Sequence, residues 1–259
     1  MRRLLFLITL ILLIPTPVHA DTHAIYLTSI PNRNYQGELT NKKFELSLSP
    51  EAELGKAVFQ LQPPPQTWVI DAALVEDVQA LAENKSELAI NWLSRLKRVV
   101  RNGTVYATAY GNPDVIYLKS LAPSELNFYY QVGQQHLEAI LGINVRSEQG
   151  SGFSYQRARI DSGVREFFNT AREEFSLIST VVNPKEVEAD RARLAQLFNP
   201  KLNSDARQAL LENFVAGETE VIAKLRIVDG RYRITTANQK MPITLVNDFG
   251  SSVKVDLFF

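Results

Sequence analysis

The feature that most constrains this fold is a repeated order of events, in which an apolar strand-like run leads into an aspartate and then into helical periodicity. Trp68-Val69-Ile70 leads into Asp71, and Val105-Tyr106-Ala107-Thr108-Ala109 leads through Tyr110-Gly111-Asn112-Pro113 into Asp114. In a parallel βαβ arrangement both acids stand at the carboxyl ends of neighbouring strands, the edge where α/β proteins carry ligands. The pattern therefore predicts a parallel sheet with a site at one edge.

The surrounding segments extend that reading. Ala24 to Ile30 reads as a first buried strand, and a polar loop, Asn34 to Lys43, separates it from Phe44 to Leu48. Ser49-Pro50-Glu51 has the chemistry of a helix start, with the helix running to about Leu61 and Gly55 a mild weakness within it. Pro63-Pro64-Pro65 stops the helix and launches the strand Thr67 to Ile70. Ala73 to Ala82 and Leu88 to Val100 are amphipathic, with Leu88, Trp92 and Leu96 on one face. Thr104 to Ala109 is the next strand. The order strand, helix, strand, helix, strand, helix favours right-handed parallel units.

Beyond Leu118 the pattern loosens. Ser124 to Leu141 reads as an aromatic helix ended by Gly142, and Ile143-Asn144-Val145 as a short strand. Gly163 to Val182, Pro184 to Phe198 and Asn203 to Val215 read as three helices. From Glu220 the period changes to two. Val221 to Ile227 and Tyr232 to Thr235 flank Asp229-Gly230, a strong hairpin signal, and Ile243 to Val246 pairs with Val253 to Leu257 across a turn at Asp248-Phe249-Gly250. This tail is expected to dock on the helices and to bury Phe249, Leu257 and at least one of Phe258 and Phe259.

Composition narrows the chemistry. Cysteine is absent, so disulfides, thiol catalysis and cysteine-based zinc sites are excluded. The 28 basic and 28 acidic residues leave no electrostatic case for nucleic acid. Arg2 and Arg3, the apolar run Leu4 to Ile14 and the small-residue end Val18-His19-Ala20 read as a signal peptide cleaved after Ala20. The alternative is a retained anchor, although the apolar run is shorter than the roughly 20 residues of an ordinary span. No later stretch reads as a transmembrane helix.

Asp71 and Asp114 are the candidate catalytic carboxylates, with acid–base work or a glycosidase pair as the chemistry. Local physics favours a simpler role for both, as helix caps. Arg33, Trp68, Tyr110 and Asn112 are the ligand-binding candidates, and Trp68, Tyr106, Tyr110 and Tyr117 could supply a sugar-stacking surface or simply fill the core. After the leader only His23 and His136 remain, too few for a three-histidine centre, so no metal or cofactor is expected. Gly150 to Ser154 lacks the glycine spacing of a serine nucleophile elbow.

Three motifs in order, Trp68-Val69-Ile70-Asp71-Ala72-Ala73-Leu74, Trp92-Leu93-Ser94-Arg95-Leu96 and Ala109-Tyr110-Gly111-Asn112-Pro113-Asp114-Val115, resemble a family of large exported actinobacterial cell-envelope proteins of unknown biochemical function. Members are encoded beside the exporter of the peptidoglycan lipid precursor, and their central part looks like a barrel related to polysaccharide deacetylases and glycoside hydrolases. Met241 to Asp248 resembles the start of that family's final β-sandwich. Asp71 and Asp114 fit the family motif. Ala72 stands in place of a proline, Asn112 in place of an aspartate, and the family's carboxy-terminal membrane helix has no counterpart.

The resulting expectation is an α/β chain with a reduced or incomplete TIM-barrel-like parallel sheet, followed by a small antiparallel β module. Its divisions are a signal peptide at 1–20, the α/β domain at 21–182, a helical segment at 183–217 and the β module at 218–259. The leader, the parallel-unit order and a site poor in titratable groups point to an exported protein, extracellular, periplasmic or envelope-associated, that acts in binding or assembly with a cell-wall glycan or an envelope protein as partner. The alternative is a polysaccharide-active hydrolase or deacetylase-like enzyme using Asp71 and Asp114.

Overall fold

The computed structural model describes residues 24–41, 43–60, 66–153, 155–228 and 243–254. Four strands, β1 (Ala24–Leu27), β2 (Gln66–Ile70), β3 (Gly103–Ala107) and β4 (Arg146–Ser147), form one sheet in the order β1-β2-β3-β4, and every pairing is parallel. Spatial order equals chain order, as in a barrel segment, but β1 and β4 do not meet. The sheet is open rather than a closed barrel.

Parallel neighbours require crossovers, and helices supply them. Between β1 and β2 lie α1 (Phe44–Ser47) and α2 (Glu53–Phe59); α3 (Ala72–Glu83) and α4 (Glu87–Val99) connect β2 to β3; α5 (Val115–Leu121) and α6 (Pro123–Leu141) connect β3 to β4. The apolar stripe of α4 buries Trp92 and Leu96 completely, and the Trp92 indole N–H donates to the Leu54 carbonyl at 2.9 Å. This bond satisfies the one polar atom of a large core side chain. Gly55 proves to be a packing requirement. A Cβ there would stand 1.7 Å from the Ser49 carbonyl oxygen.

Gly133 performs the same service between α6 and the end of β3, where a Cβ would meet the Thr108 carbonyl oxygen at 2.4 Å. The Gly133→Ala variant is therefore expected to lose about 1–3 kcal/mol, the ordinary cost of overpacking. Chemical denaturation checks this, and an unchanged midpoint would show that α6 can shift freely.

Several boundaries differ from the sequence reading: β1 stops at Leu27 rather than Ile30, the helix after Ser49 starts at Glu53, and Pro184 to Phe198 is broken into a 3-10 turn, a helix at Glu188–Arg193 and a second 3-10 turn. β3 ends at Ala107 rather than Ala109, because the Tyr110 N–H leaves the sheet for the Tyr129 carbonyl on α6. The short strand is Arg146–Ser147 rather than Ile143 to Val145; Val145 is held to α6 instead, its N–H donating to Glu138 and its carbonyl accepting from Gln134. The last long helix, α9 (Ser204–Ala223), takes in Val221 to Ala223, which read as strand. Leu211, Phe214, Glu218 and Val221 are buried on it at helical spacing, so the apolar period continues past Val215.

Two more helices, α7 (Ser162–Val181) and α8 (Glu188–Arg193), with a buried 3-10 turn at Leu194–Phe198, complete the helical shell. One continuous apolar cluster runs from Leu27 to Phe249 and includes Phe168, Phe175, Leu197, Phe198 and Phe214. The helices after 182 thus share the core of the sheet.

The small antiparallel sheet consists of β5 (Leu225–Val228) and β6 (Thr244–Asn247), with Leu225 opposite Asn247 and Val228 opposite Thr244. Phe249 is buried as expected. The leader, His23, Pro63-Pro64-Pro65, Met241-Pro242, the Asp229-Gly230 turn with Tyr232 to Thr235, and Leu257 to Phe259 lie outside the described residues. Among the described residues no helix is long and apolar enough to cross a membrane.

Candidate ligand site at the carboxyl edge of the sheet

The ladder continues one residue beyond each strand, and this brings three post-strand positions into line. Asp71 N–H donates to Leu27 O at 3.0 Å, Thr108 N–H to Ile70 O at 3.0 Å and Glu148 N–H to Ala107 O at 2.9 Å. The residues that follow β2, β3 and β4 therefore share one edge, as a parallel sheet requires.

Asp71 is 2% exposed and caps α3: its Oδ1 accepts from Ala73 N–H at 3.1 Å and from Gly111 N–H at 2.9 Å. Burial pushes its pKa up to about 8, against the two backbone donors that favour the charged form. Asp114 is fully buried and caps α5, its Oδ1 accepting from Tyr117 N–H at 2.9 Å. Its Oδ2 accepts from Ala158 N–H at 2.8 Å and from Arg157 Nε at 3.1 Å. Both acids thus pin loops to helix starts. Neither lines the cavity that opens beside them.

That cavity, of about 480 Å³, lies at the strand ends and is lined by Tyr26, Thr28, Thr108, Asn112, Glu148, Tyr155, Gln156 and Lys201, with Val69, Ala109, Pro113, Val115 and Pro200 as its apolar part. Size and mixed lining suit a small polar ligand. Asn112 reaches it through a left-handed backbone conformation, φ 48°, in the turn after β3. Lys201 is tied down, its Nζ donating to Thr28 O at 2.6 Å. Asn199 bridges the loops after β1 and β3 by donating to Ser29 O and Gly111 O, each at 2.9 Å.

Glu148 is the titratable group that distinguishes the cavity. It is 5% exposed, its carboxylate has no side-chain hydrogen bond or ion pair among the described residues, and burial alone pushes its pKa up to about 7. Burial and neighbouring charge likewise keep Tyr26 and Tyr155 protonated as neutral phenols.

The other sequence candidates lie elsewhere. Trp68 is 1% exposed in the core, its ring under Gly103. Tyr106 meets Phe153 edge-on at 5.1 Å, and Tyr117 lies 5.7 Å from Phe198, so both pack against aromatic neighbours. Tyr110 donates its hydroxyl to Glu76 at 2.7 Å, and Arg33 pairs with Asp77 at 2.6 Å.

These two residues belong to a separate polar network between α3, α6 and α8. His136 Nδ1 is 2.5 Å from Glu76 Oε1, and its Nε2 is 3.7 Å from Glu188. The Glu76 hydrogen bond raises the His136 pKa. Burial would raise that of Glu76, but the bonds from His136 and Tyr110 outweigh it and hold Glu76 below its ordinary value. Arg33, Glu76 and His136 also line a second cavity of about 340 Å³. The sequence candidates are therefore divided: Asn112 stands at the sheet edge, Arg33 and Tyr110 at this network, and Trp68 in the core.

Glu148, Tyr155, Gln156 and Lys201 escaped the sequence reading. Glu148 obeys the same rule as Asp71, an acid directly after a strand, but a strand of two residues gives almost no periodicity. Among the described residues no group of three His, Asp or Glu side chains could share a metal ion. Comparison of the chain with protein-family models, curated proteins and solved structures finds no match.

Proposed function

We propose that this chain is an exported cell-envelope protein that binds a glycan-type ligand in the cavity at the carboxyl edge of its sheet, in a binding or assembly role. The observation that carries the reading is the Glu148 carboxylate, unpartnered among the described residues, in a cavity whose other polar lining is phenolic, amide and hydroxyl apart from Lys201, whose ammonium donates to Thr28 O. Such groups match a polyhydroxylated surface, with tyrosine rings to stack on sugar faces. The resemblance to exported envelope proteins supports the location.

Binding is favoured over hydrolysis because Oδ1 of Asp71 and both oxygens of Asp114 are engaged with backbone N–H groups and, for Asp114, with Arg157. A glycosidase pair needs two carboxyl groups facing one bond, and here the cavity contains Glu148.

Titration of cell-wall glycan fragments against the purified protein, followed by amide chemical shifts, is expected to perturb Thr108, Asn112, Glu148, Tyr155 and Gln156 together. Shifts confined to other surfaces would overturn the site. Release of reducing ends that falls a hundredfold in Glu148→Gln would replace binding by catalysis. Recovery of the protein in the cytoplasm with Met1 to Ala20 intact would overturn export.

A further inference from the structure

We propose that the ligand of the edge cavity carries a protonated primary amine, which Glu148 receives beside the rings of Tyr26 and Tyr155. This rests on the cavity being the glycan site, and it names the ligand class as an amino sugar with a free amine.

The argument is one of charge inventory. A buried carboxylate ordinarily has a cation or several donors, because leaving it unpaired is costly. The cation lining this cavity is Lys201, whose Nζ donates to Thr28 O at 2.6 Å. The raised pKa of Glu148 has burial as its cause. Arg157 is nearby in sequence but directs its Nε to Asp114 at 3.1 Å. Among the described residues the anion is thus uncompensated.

The remaining titratable neighbours are consistent with a cationic guest. Tyr26, Tyr130 and Tyr155 interact with Glu148 electrostatically, and each has its pKa raised chiefly by burial, so none contributes a second anion. Aromatic faces attract an ammonium and offset part of the cost of its desolvation. Tyr26 is held by an edge-on contact with Phe153 at 6.2 Å between ring centres. A phosphate or carboxylate ligand would face repulsion from the Glu148 carboxylate, and a neutral acetamide would offer it no cation to ionise against.

The test compares three tetrasaccharides on the full chain: the tetramer of glucosamine, its fully N-acetylated counterpart and cellotetraose. Calorimetry at about pH 5.5, where Glu148 is protonated and the amines are charged, in two buffers of different ionisation heat, reads affinity and proton exchange together. The glucosamine tetramer is expected to bind about tenfold or more tightly than the acetylated one and to release one proton per site as Glu148 ionises. Glu148→Gln should abolish both the preference and the proton release. If that variant fails to fold, the wild-type contrast between amine and acetamide decides alone.

Equal affinity for all three tetramers, or a preference that survives in Glu148→Gln, would overturn the amine and leave the glycan cavity standing. Failure of all three to bind would overturn the glycan reading and the amine with it.

Discussion

Replacing Asp114 by alanine is expected to lower stability by about 1.5–5 kcal/mol, with loss of the helix cap at Tyr117 contributing about 0.5–2 and the abandoned, part-buried Ala158 donor about 1–3. The carboxylate holds three donors at once: Tyr117 N–H at the start of α5, Ala158 N–H, and the Arg157 side chain. Arg157 is 61% exposed, so its share is screened and small. The two backbone bonds dominate. Because Tyr155 and Gln156 line the edge cavity just before this anchor, hydrogen exchange in residues 155–160 should also accelerate. Asp114→Asn keeps the cap through its carbonyl but turns an amide N–H₂ toward two donors, so it should fall between wild type and alanine. Urea denaturation separates this from catalysis, for a catalytic acid would lose turnover while the midpoint stayed in place.

This double use of one carboxylate explains what was legible in the sequence and what was not. Local signals were reliable where a residue acts on its own helix. Asp71 and Asp114 cap α3 and α5, Gly142 ends α6 in the left-handed conformation, and Trp92 and Leu96 face the core. Parallel pairing followed from strands alternating with helices. The second hydrogen bonds of the same residues were invisible, because Asp71 reaches Gly111 and Asp114 reaches Ala158 across about 40 residues of chain. Gly55 and Gly133 carry their meaning in a third dimension too, as points where a backbone passes within a Cβ radius.

The site was half legible for a related reason. The rule that an acid follows a strand located the edge, and Asn112 was found there, but the rule was applied where strands were long enough to show themselves. At β4 only Arg146 and Ser147 pair with β3, and the preceding Val145 is engaged by Glu138 and Gln134. Glu148 was therefore hidden behind a segment that looked like strand three residues too early. Tyr155, Gln156 and Lys201 come from irregular loops, which have no periodicity to read.

The largest pH effect should come from Asp71. Its native pKa stands at about 8, against an ordinary aspartate value near 4 in the unfolded chain. The folded state therefore binds the proton more tightly, and folding takes one up between those limits. The stabilisation is fully present below about pH 4 and is lost as pH rises through the native value. Were the two values only two pH units apart, the difference would be about 3 kcal/mol. Urea midpoints should accordingly fall between pH 5 and pH 8.5. Glu148 and Glu218, each raised to about 7 chiefly by burial, add slopes of the same sign. Asp71→Asn retains a carbonyl acceptor for Ala73 and Gly111 and cannot ionise, so it should approach wild type at low pH and exceed it at high pH. A wild-type chain that instead gains stability toward pH 8.5 would show that the two N–H donors outweigh burial and hold Asp71 as a carboxylate, while an unchanged slope in the variant would assign the titration to Glu148 and Glu218.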